Sequence, residues 1–287
     1  MKHGRANCRE LILGERVKIA ETAEISGGRI EIGDDVRIGE NVRIEVTEHL
    51  MLGKGSIVGP ETIIRGRDVA LGRESYTNHH AEIGGGSCFE PTSRLRTGYW
   101  CHIGSYAIIN TAMPVDIGNE VGLGRFTNIY THGAYLSTLE GFSVEFGPVR
   151  IGHRVWLPSA TVNPNVTIGD DVVVGVGSVV TKDLPGGCLA LGVPCRVVKE
   201  NAYPVRLTPA EKLDRVSKAL RTWEVEFRVV DASVPIVEAG GAHFDFGAMT
   251  VHGSVSEASE NARNYMRRHG VRFKVETASG RYEPWKE

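Results

Sequence analysis

The stretch VTIGDDVVVGVGSVV, residues 166 to 180, decides the fold class of this chain. Its aliphatic residues come in three-residue units six residues apart, with Ile168, Val174 and Val180 at the third position. The faces of an α-helix recur about every 3.6 residues, so this period fits a short strand followed by a corner instead. The first and third side chains of each unit share a face, and glycine suits the tight turn that follows.

The same unit runs through most of the chain. Of the 23 gaps between successive third positions, 16 are six residues long. The predicted rows are Ile19, Ile25, Ile32, Ile38, Ile44, Leu52, Val58, Ile64, Leu71, Thr77, Ile83, Phe89, Leu95, Ile103, Ile109, Ile117, Leu123, Ile129, Ile151, Leu157, Val162, Ile168, Val174 and Val180. Three rows to a coil predict an all-β parallel β-helix of eight coils with the aliphatic rows inside. An ordinary antiparallel sheet of short strands, the alternative, is not expected to hold this phase.

One long break interrupts the rows, in the stretch YTHGAYLSTLEGFSVEFGPVRIG, residues 130 to 152. Ile129 and Ile151 are 22 residues apart, where the normal step is six, so 16 residues are extra. Val149 and Ile151 resume the six-residue spacing of the rows. We therefore expect residues 131–148 to leave the β-helix as an extruded loop. His132 lies at the root of this loop, where the neighbouring strand can fix its side chain.

The composition argues against nucleic-acid binding, a membrane span and a disulfide framework. The 287 residues carry a net charge of −2, with 33 Lys and Arg against 35 Asp and Glu, which argues against a nucleic-acid binder. No signal-peptide pattern or apolar run of membrane-spanning length is found, so a cytoplasmic location without a membrane span is expected. The five cysteines are irregularly spaced, which predicts reduced thiols rather than a disulfide frame or a CxxC zinc site.

The composition changes after about residue 200. This predicts a β-helix domain over residues 12–200 and a small α/β domain over residues 201–287. In the second domain, Thr208 and Glu211 match a capping box at the start of a helix, and Pro209 suits its first position.

A second helix is predicted from the stretch SVSEASENARNYMRRHG, residues 254 to 270. Ser254 and Glu257 are its cap candidates, and Gly270 is its expected end. The stretch VRFKVETASGRYEPW that follows predicts a closing strand.

The segment from FGPVRIGHRVW to LGVPCRVVKE, residues 146 to 200, resembles the hexapeptide-repeat acyltransferases, in particular maltose and galactoside O-acetyltransferases and xenobiotic acetyltransferases. The resemblance is specific over about residues 115–200, covers residues 15–114 only as a repeat, and does not include residues 201–287. It implies a left-handed β-helix, a homotrimer, and acetyl-CoA bound in a groove between neighbouring subunits.

The resemblance also implies which residues hold acetyl-CoA. Glycine and small residues let the backbone approach the pantetheine amides, and basic side chains suit the CoA phosphates. The positions that match the family are Trp156, Ala160, Gly175, Val176, Gly177, Ser178, Lys182, Pro194, Arg196 and Lys199. The step from Leu157 to Val162 is five residues where the family usually has six, so the corner at Ala160 is expected to be tighter. No metal is expected.

His132 matches the histidine that serves these enzymes as a general base. It lies 19 residues before Ile151, and the motifs IYTH and GPVRIG bracket the loop as they do in the family. A neutral imidazole can take the proton of an acceptor hydroxyl, which then attacks the thioester carbonyl with no acyl-enzyme. A base needs an orienting partner, and we expect Glu145, with Glu140 as the alternative, to supply it.

Asn110 and Tyr130 are the predicted acceptor contacts. The maltose-type enzymes have asparagines a few positions before Asn110, where this chain has Gly104 and Tyr106, so the identity of the acceptor is left open.

Together these patterns predict an acetyl-CoA-dependent O-acetyltransferase that acts on a sugar hydroxyl of a saccharide or glycoconjugate. An amino-sugar N-acetyltransferase is the alternative. A γ-type carbonic anhydrase would bind zinc with three histidines, for which the candidates are His79, His80, His102 and His132. No H-x4-H pair stands around His132, which disfavours that enzyme. A non-catalytic scaffold would be expected to lack His132 and the CoA-type tail. The pair His79–His80 suits a polar corner or a trimer contact, or a ligand for acceptor or metal.

Overall fold

The computed structural model describes residues 5–231 and 233–273 of the chain. The chain divides into two compact units, residues 1–204 and 205–287. Residues 201–204, which composition assigned to the second domain, belong to the first unit. The first unit is a parallel β-helix of about nine coils, so the predicted fold class is confirmed.

Each coil of the β-helix adds strands to three parallel ladders, here named faces A, B and C in chain order. Face A consists of Arg5–Leu13, Glu24–Ile32, Arg43–Leu52, Ile63–Leu71, Leu95–Thr97, Val115–Ile117, Val149–Ile151 and Thr167–Ile168. Face B consists of Lys18–Ile19, Arg37–Ile38, Ile57–Val58, Tyr76–Thr77, His102–Ile103, Gly122–Leu123, Trp156–Leu157, Val173–Val174 and Leu189–Gly192, with Cys195–Lys199 added antiparallel. Face C consists of Glu82–Gly84, Ile108–Asn110, Asn128–Ile129, Thr161–Val162 and Val179–Val180.

The first four strands of face A also serve face C, because they continue around the corner between the two. In the strand Ile63–Leu71, for example, Ile64 pairs with Ile83 on face C, whereas Val69 pairs with Leu95 on face A. The aliphatic rows face inward and form one continuous core along the axis of the coils. Glycine marks places where coils approach closely: a β-carbon on Gly72 would lie 2.2 Å from the carbonyl oxygen of the next coil.

Two predicted row positions, Phe89 and Leu95, are wrong. Phe89 is 37% exposed and lies in a second, shorter excursion of the chain, residues 85–94, between faces C and A. Leu95 pairs with Val69 and Val115, which makes Thr97 the third position of that unit. Residues 83, 89 and 95 therefore have the six-residue spacing of the repeat, but only Ile83 occupies a third position. The coils number about nine rather than eight because the strand Arg5–Leu13 and the strand Leu189–Gly192 extend the ladders at the two ends.

The predicted extrusion after residue 130 is present. His132–Gly133 pairs antiparallel with Glu145–Phe146, and a 3-10 turn, Thr138–Glu140, lies between them. The strand Val149–Ile151 then pairs in register with Val115–Ile117 on the preceding coil. The loop thus leaves and rejoins the β-helix without changing the register of the strands on face A.

The second unit contains helices Pro209–Thr222 and Glu257–Arg268 and a four-stranded antiparallel sheet of Arg228–Asp231, Ile236–Ala239, Ala242–Asp245 and Thr250–Gly253. The capping box of Thr208 and Glu211 forms as predicted. The second helix is capped by Ser256 with Ser259, not by Ser254 with Glu257. The closing strand is not found at residues 271–273, and the rest of that prediction lies outside the described residues.

Leu123→Ala tests the interior of the β-helix. Leu123 is 1% exposed on face B, so the truncation should leave a cavity and lower the free energy of unfolding of this unit by about 3 kcal/mol. The same change at Leu139, which is 95% exposed in the extruded loop, should alter it by no more than about 0.5 kcal/mol. Urea denaturation followed by circular dichroism measures both values, and equal losses would contradict the assignment of the interior.

Candidate active site

His132 lies at the corner between faces C and A, beside Asn110 of the preceding coil. The strands Ile108–Asn110 and Asn128–Ile129 pair in register, which brings the residues that follow them together. Nδ1 of His132 is 2.9 Å from Oδ1 of Asn110. Asn110 is 5% exposed, so this hydrogen bond is largely shielded from water.

The hydrogen bonds of Asn110 fix which way its amide points. Its Nδ2 donates to the carbonyl oxygens of Gly84, at 3.2 Å, and Gly86, at 3.1 Å. Its Oδ1 faces the other side, where it accepts from the hydroxyl of Thr131 and from the backbone N–H of Ala112. A flipped amide would turn a donor toward these donors and an oxygen toward the two carbonyls, so only one orientation satisfies the network.

This orientation sets the tautomer of His132. The amide oxygen of Asn110 can only accept, so Nδ1 of the ring carries the proton. In the neutral ring Nε2 then keeps its lone pair and can act as a base. The ring of Phe146 stacks on the imidazole with centroids 5.2 Å apart and an interplanar angle of 17°. Gly86 lies next to Cε1 and Nε2, where it presents no side chain.

The predicted cofactor residues Gly175 to Ser178 form a corner between faces B and C. Val176 is 78% exposed at its tip, and Gly177 has φ +73° with open space where a β-carbon would stand. A β-carbon on Gly175 would lie 2.4 Å from Cδ2 of Leu191, and the hydroxyl of Ser178 accepts from the N–H of Gly192 at 3.0 Å. The hairpin of Leu189–Gly192 and Cys195–Lys199 therefore packs beside this corner.

Two of the predicted cofactor side chains point inward. Ala160 and Ser178 are 0% and 1% exposed, and their coils align because Thr161 pairs with Val179. They shape the corner rather than present a side chain to a ligand. The five-residue step brings Ser159, with φ +49°, to the outer position that Gly177 occupies one coil later.

Trp156 and the basic residues remain accessible. Trp156 is 41% exposed on face B and lies across Gly122, where a β-carbon would be 2.4 Å from its Cε3. The other predicted cofactor residues, Lys182, Pro194, Arg196 and Lys199, are also exposed. The bond Val193–Pro194 is cis.

His132 and the cofactor residues of the Gly175–Ser178 corner lie along opposite edges of face C, one edge next to face A and the other next to face B. His132 follows the strand Asn128–Ile129 at the corner toward face A, whereas Gly177 precedes the strand Val179–Val180 at the corner toward face B. One copy of the chain does not bring the histidine and the corner of Gly177 together.

Comparison with known proteins points to one family. No family model matches the chain. Galactoside O-acetyltransferase of Escherichia coli (strain K12) is 36% identical over 129 residues, which are 42% of this chain and 64% of the relative. Over these 129 residues the chain is similar to a sugar O-acetyltransferase, as the sequence pattern predicted. The chain spans slightly less than two thirds of the length of that relative.

Two acetyltransferases of known structure align with part of the chain. The polySia-specific acetyltransferase NeuO aligns with 78% of this chain and 98% of its own, with 18% identity and a TM-score of 0.48. A hexapeptide-repeat-containing acetyltransferase of Vibrio cholerae, crystallised with acetyl-CoA, aligns with 53% of this chain and 70% of its own, with 23% identity and a TM-score of 0.38.

The hydrogen-bond partner of the His132 imidazole differs from the predicted one. The carboxylate of Glu145 accepts from Nδ2 of Asn165 at 3.1 Å, and Glu140 lies in the exposed 3-10 turn. Asn110, expected as an acceptor contact, occupies the orienting position instead. Tyr130, the other expected contact, is 41% exposed and donates its backbone N–H to Val162.

The histidines proposed for a metal site have other partners. The imidazole nitrogens of His79, His80 and His102 contact the hydroxyl of Ser105, the carboxylate of Glu61 and the amide of Asn78, respectively. Within residues 5–231 and 233–273, no group of three His, Cys, Asp or Glu side chains is arranged to hold a metal ion. None of the helices in these ranges has the length and apolarity that crossing a membrane requires.

Burial disfavours the thiolate form of three of the five cysteines. All five are free thiols. Burial raises the pKa of the Cys88, Cys188 and Cys195 thiols above the ordinary value. A thiol with a raised pKa stays protonated at neutral pH and is a poor nucleophile.

Proposed function

We propose that the chain is an acetyl-CoA-dependent O-acetyltransferase that acts on a sugar hydroxyl of a saccharide or glycoconjugate. The observation that carries this proposal is the hydrogen bond of His132 to Asn110, because it directs the Nδ1 proton to the amide oxygen and so leaves Nε2 as the nitrogen that accepts a proton. The sequence similarity to a galactoside O-acetyltransferase supports the substrate class.

The reaction is a direct transfer. Nε2 of His132 takes the proton of the acceptor hydroxyl while the hydroxyl oxygen attacks the thioester carbonyl carbon of acetyl-CoA. The tetrahedral intermediate collapses as the carbon–sulfur bond breaks, and the leaving sulfur receives the proton from the imidazolium. The products are the acetyl ester and CoA-SH, and His132 returns to its neutral form. No acyl-enzyme forms in this step, because the acceptor oxygen itself attacks the thioester carbonyl.

The proposal includes a cytoplasmic homotrimer with a site between neighbouring copies. Since His132 and the corner of Gly175 to Ser178 lie along opposite edges of face C, the corner of one copy has to meet His132 of the next. A contact between two different surfaces of the same chain generates a ring when the rotation closes. Acetyl-CoA would lie between the copies, with its phosphates near the hairpin that carries Arg196.

Acetyl-CoA affinity tests the cofactor assignment. We expect Lys182→Ala and Arg196→Ala each to weaken acetyl-CoA binding by about tenfold, because each removes a charge-assisted contact to phosphate. Isothermal titration calorimetry measures the dissociation constants. Lys54→Ala, a change of an exposed lysine on an earlier coil, serves as the matched control and should leave them unchanged. Unaltered binding in both test variants would reject the phosphate contacts, and no binding at millimolar acetyl-CoA would reject the transferase itself.

The acceptor class is tested by CoA-SH release from acetyl-CoA in the presence of sugars, nucleotide sugars and amino sugars. Release with hydroxyl-only sugars, followed by mass spectrometry of the product, is the expected result. Release with amino sugars alone would replace O-acetylation by N-acetylation, and release with none of these acceptors would overturn the proposed function.

A further inference from the structure

The excursion over residues 85–94 forms a wall beside the imidazole of His132. It leaves face C after Gly84, with φ +128° at Gly84 and +83° at Gly85, and passes the ring before it reaches face A. Its backbone contacts the site directly, since the carbonyl oxygen of Gly86, like that of Gly84 at the end of the strand before it, accepts from the Asn110 amide.

Several contacts hold this wall in place. The hydroxyl of Thr92 donates to the carbonyl oxygen of Ala112 at 2.7 Å, and the buried hydroxyl of Ser93 is 3.3 Å from that of Thr111. The guanidinium of Arg65 lies over the ring of Phe89 at 5.1 Å from its centroid. The excursion is thus attached to the neighbouring coils at several points, so its position next to His132 is defined by packing.

Gly86 is the residue of the wall that faces the reactive edge of the ring. A β-carbon built on it would lie 3.7 Å from both Cε1 and Nε2 of His132. An acceptor hydroxyl has to come within about 2.6–3.2 Å of Nε2, and the carbon that carries it has to fit beside that oxygen. A side chain at position 86 would occupy part of this space. The φ of Gly86 lies outside the left-handed region, so the backbone itself would accept an alanine.

We propose that Gly86 determines the acceptor specificity of this site: the absent side chain admits the bulky ring carbon of a saccharide to Nε2 of His132. This inference rests on the proposed O-acetyltransferase function. It assigns a role to Gly86, which the sequence pattern did not predict because it lies between the predicted rows Ile83 and Phe89. It predicts that side chains of growing size at position 86 exclude saccharides before they exclude small alcohols.

Steady-state kinetics of Gly86→Ala and Gly86→Val test the inference. For the saccharide acceptor with the highest rate of CoA-SH release, kcat/KM should fall about tenfold with alanine and about 10²-fold with valine, since the hydroxyl is displaced from its attacking position. With ethanol as the acceptor the loss should be smaller, and the KM for acetyl-CoA should stay within about twofold. Gly133→Ala is the matched control, because a β-carbon there meets no atom of residues 5–231 or 233–273 within 4 Å. Equal losses for saccharide and ethanol, or none for either, would overturn the specificity role.

Modification by diethyl pyrocarbonate separates this inference from the proposed function. The reagent acylates an unprotonated imidazole nitrogen, and mass spectrometry of the His132 peptide gives its rate without any acetyl transfer. We expect the rate to fall about tenfold in Gly86→Val and to stay unchanged in Gly133→Ala. An unchanged rate in Gly86→Val would overturn the placement of Gly86 at Nε2. A reduced rate in a protein that transfers no acetyl group would support the placement and reject only the function.

Discussion

His132→Ala is expected to lower kcat for acetyl transfer by about 10²- to 10⁴-fold, the range that a positioned general base contributes. The change removes the imidazole. Its Nδ1 is bound to Asn110, and its Nε2, the proposed base, lies beside Gly86, which has no side chain. Acetyl-CoA affinity should stay within about twofold, because His132 is assigned to the proton transfer and is not one of the predicted cofactor contacts. Initial rates of CoA-SH release and isothermal titration calorimetry measure the two quantities.

A surface histidine provides the control for this experiment. His49→Ala removes an imidazole that contacts Glu31 and Asp68 on the early coils, and it should leave kcat unchanged. The contacts of His49 are partly exposed, so His49→Ala should keep its unfolding temperature. Turnover in His132→Ala equal to that in His49→Ala would exclude His132 as the base.

The repeat made most of the fold predictable because each coil contacts only its neighbours. A six-residue step that returns an aliphatic side chain to the interior is therefore sufficient evidence for one side of a coil. The same locality explains the error at Phe89. Residues 83, 89 and 95 keep the period, yet Leu95 occupies the first position of its unit and the exposed Phe89 stacks under Arg65. Spacing does not distinguish a row from a loop of matching length, whereas strand pairing does.

The site was predictable only in part for a related reason. His132 stands where the period fails, so the sequence reveals it. Its partner Asn110 lies 22 residues earlier, and only the pairing of Ile109 with Ile129 brings the two together. Glu145 is closer along the chain, but its strand directs the carboxylate to Asn165. The pairing of Ile109 with Ile129 places Ala112 opposite His132, so a search of the preceding coil within two residues of Ala112 would have found the asparagine.

Asn110→Leu is expected to lower kcat by up to about 10²-fold while His132 itself is intact. Leucine has a similar shape but accepts no hydrogen bond, so the ring of His132 loses the group that keeps the proton on Nδ1. Because Asn110 acts only through His132, the double variant with His132→Ala should be no slower than His132→Ala alone. A further loss in the double variant would mean that Asn110 contributes independently, for example by binding the acceptor as the sequence suggested.

Asn110→Asp separates orientation from mere packing. A carboxylate still accepts the Nδ1 proton, so this variant should recover part of the activity that Asn110→Leu loses. The negative charge favours the protonated ring, so the acid limb of the pH–rate profile should move to higher pH. The same charge also faces the carbonyl oxygens of Gly84 and Gly86, which lose their donor, so the unfolding temperature should fall. Recovered rate with a displaced acid limb is a result that simple filling of space would not produce, and an Asn110→Asp profile superimposable on that of Asn110→Leu would refute the orienting role.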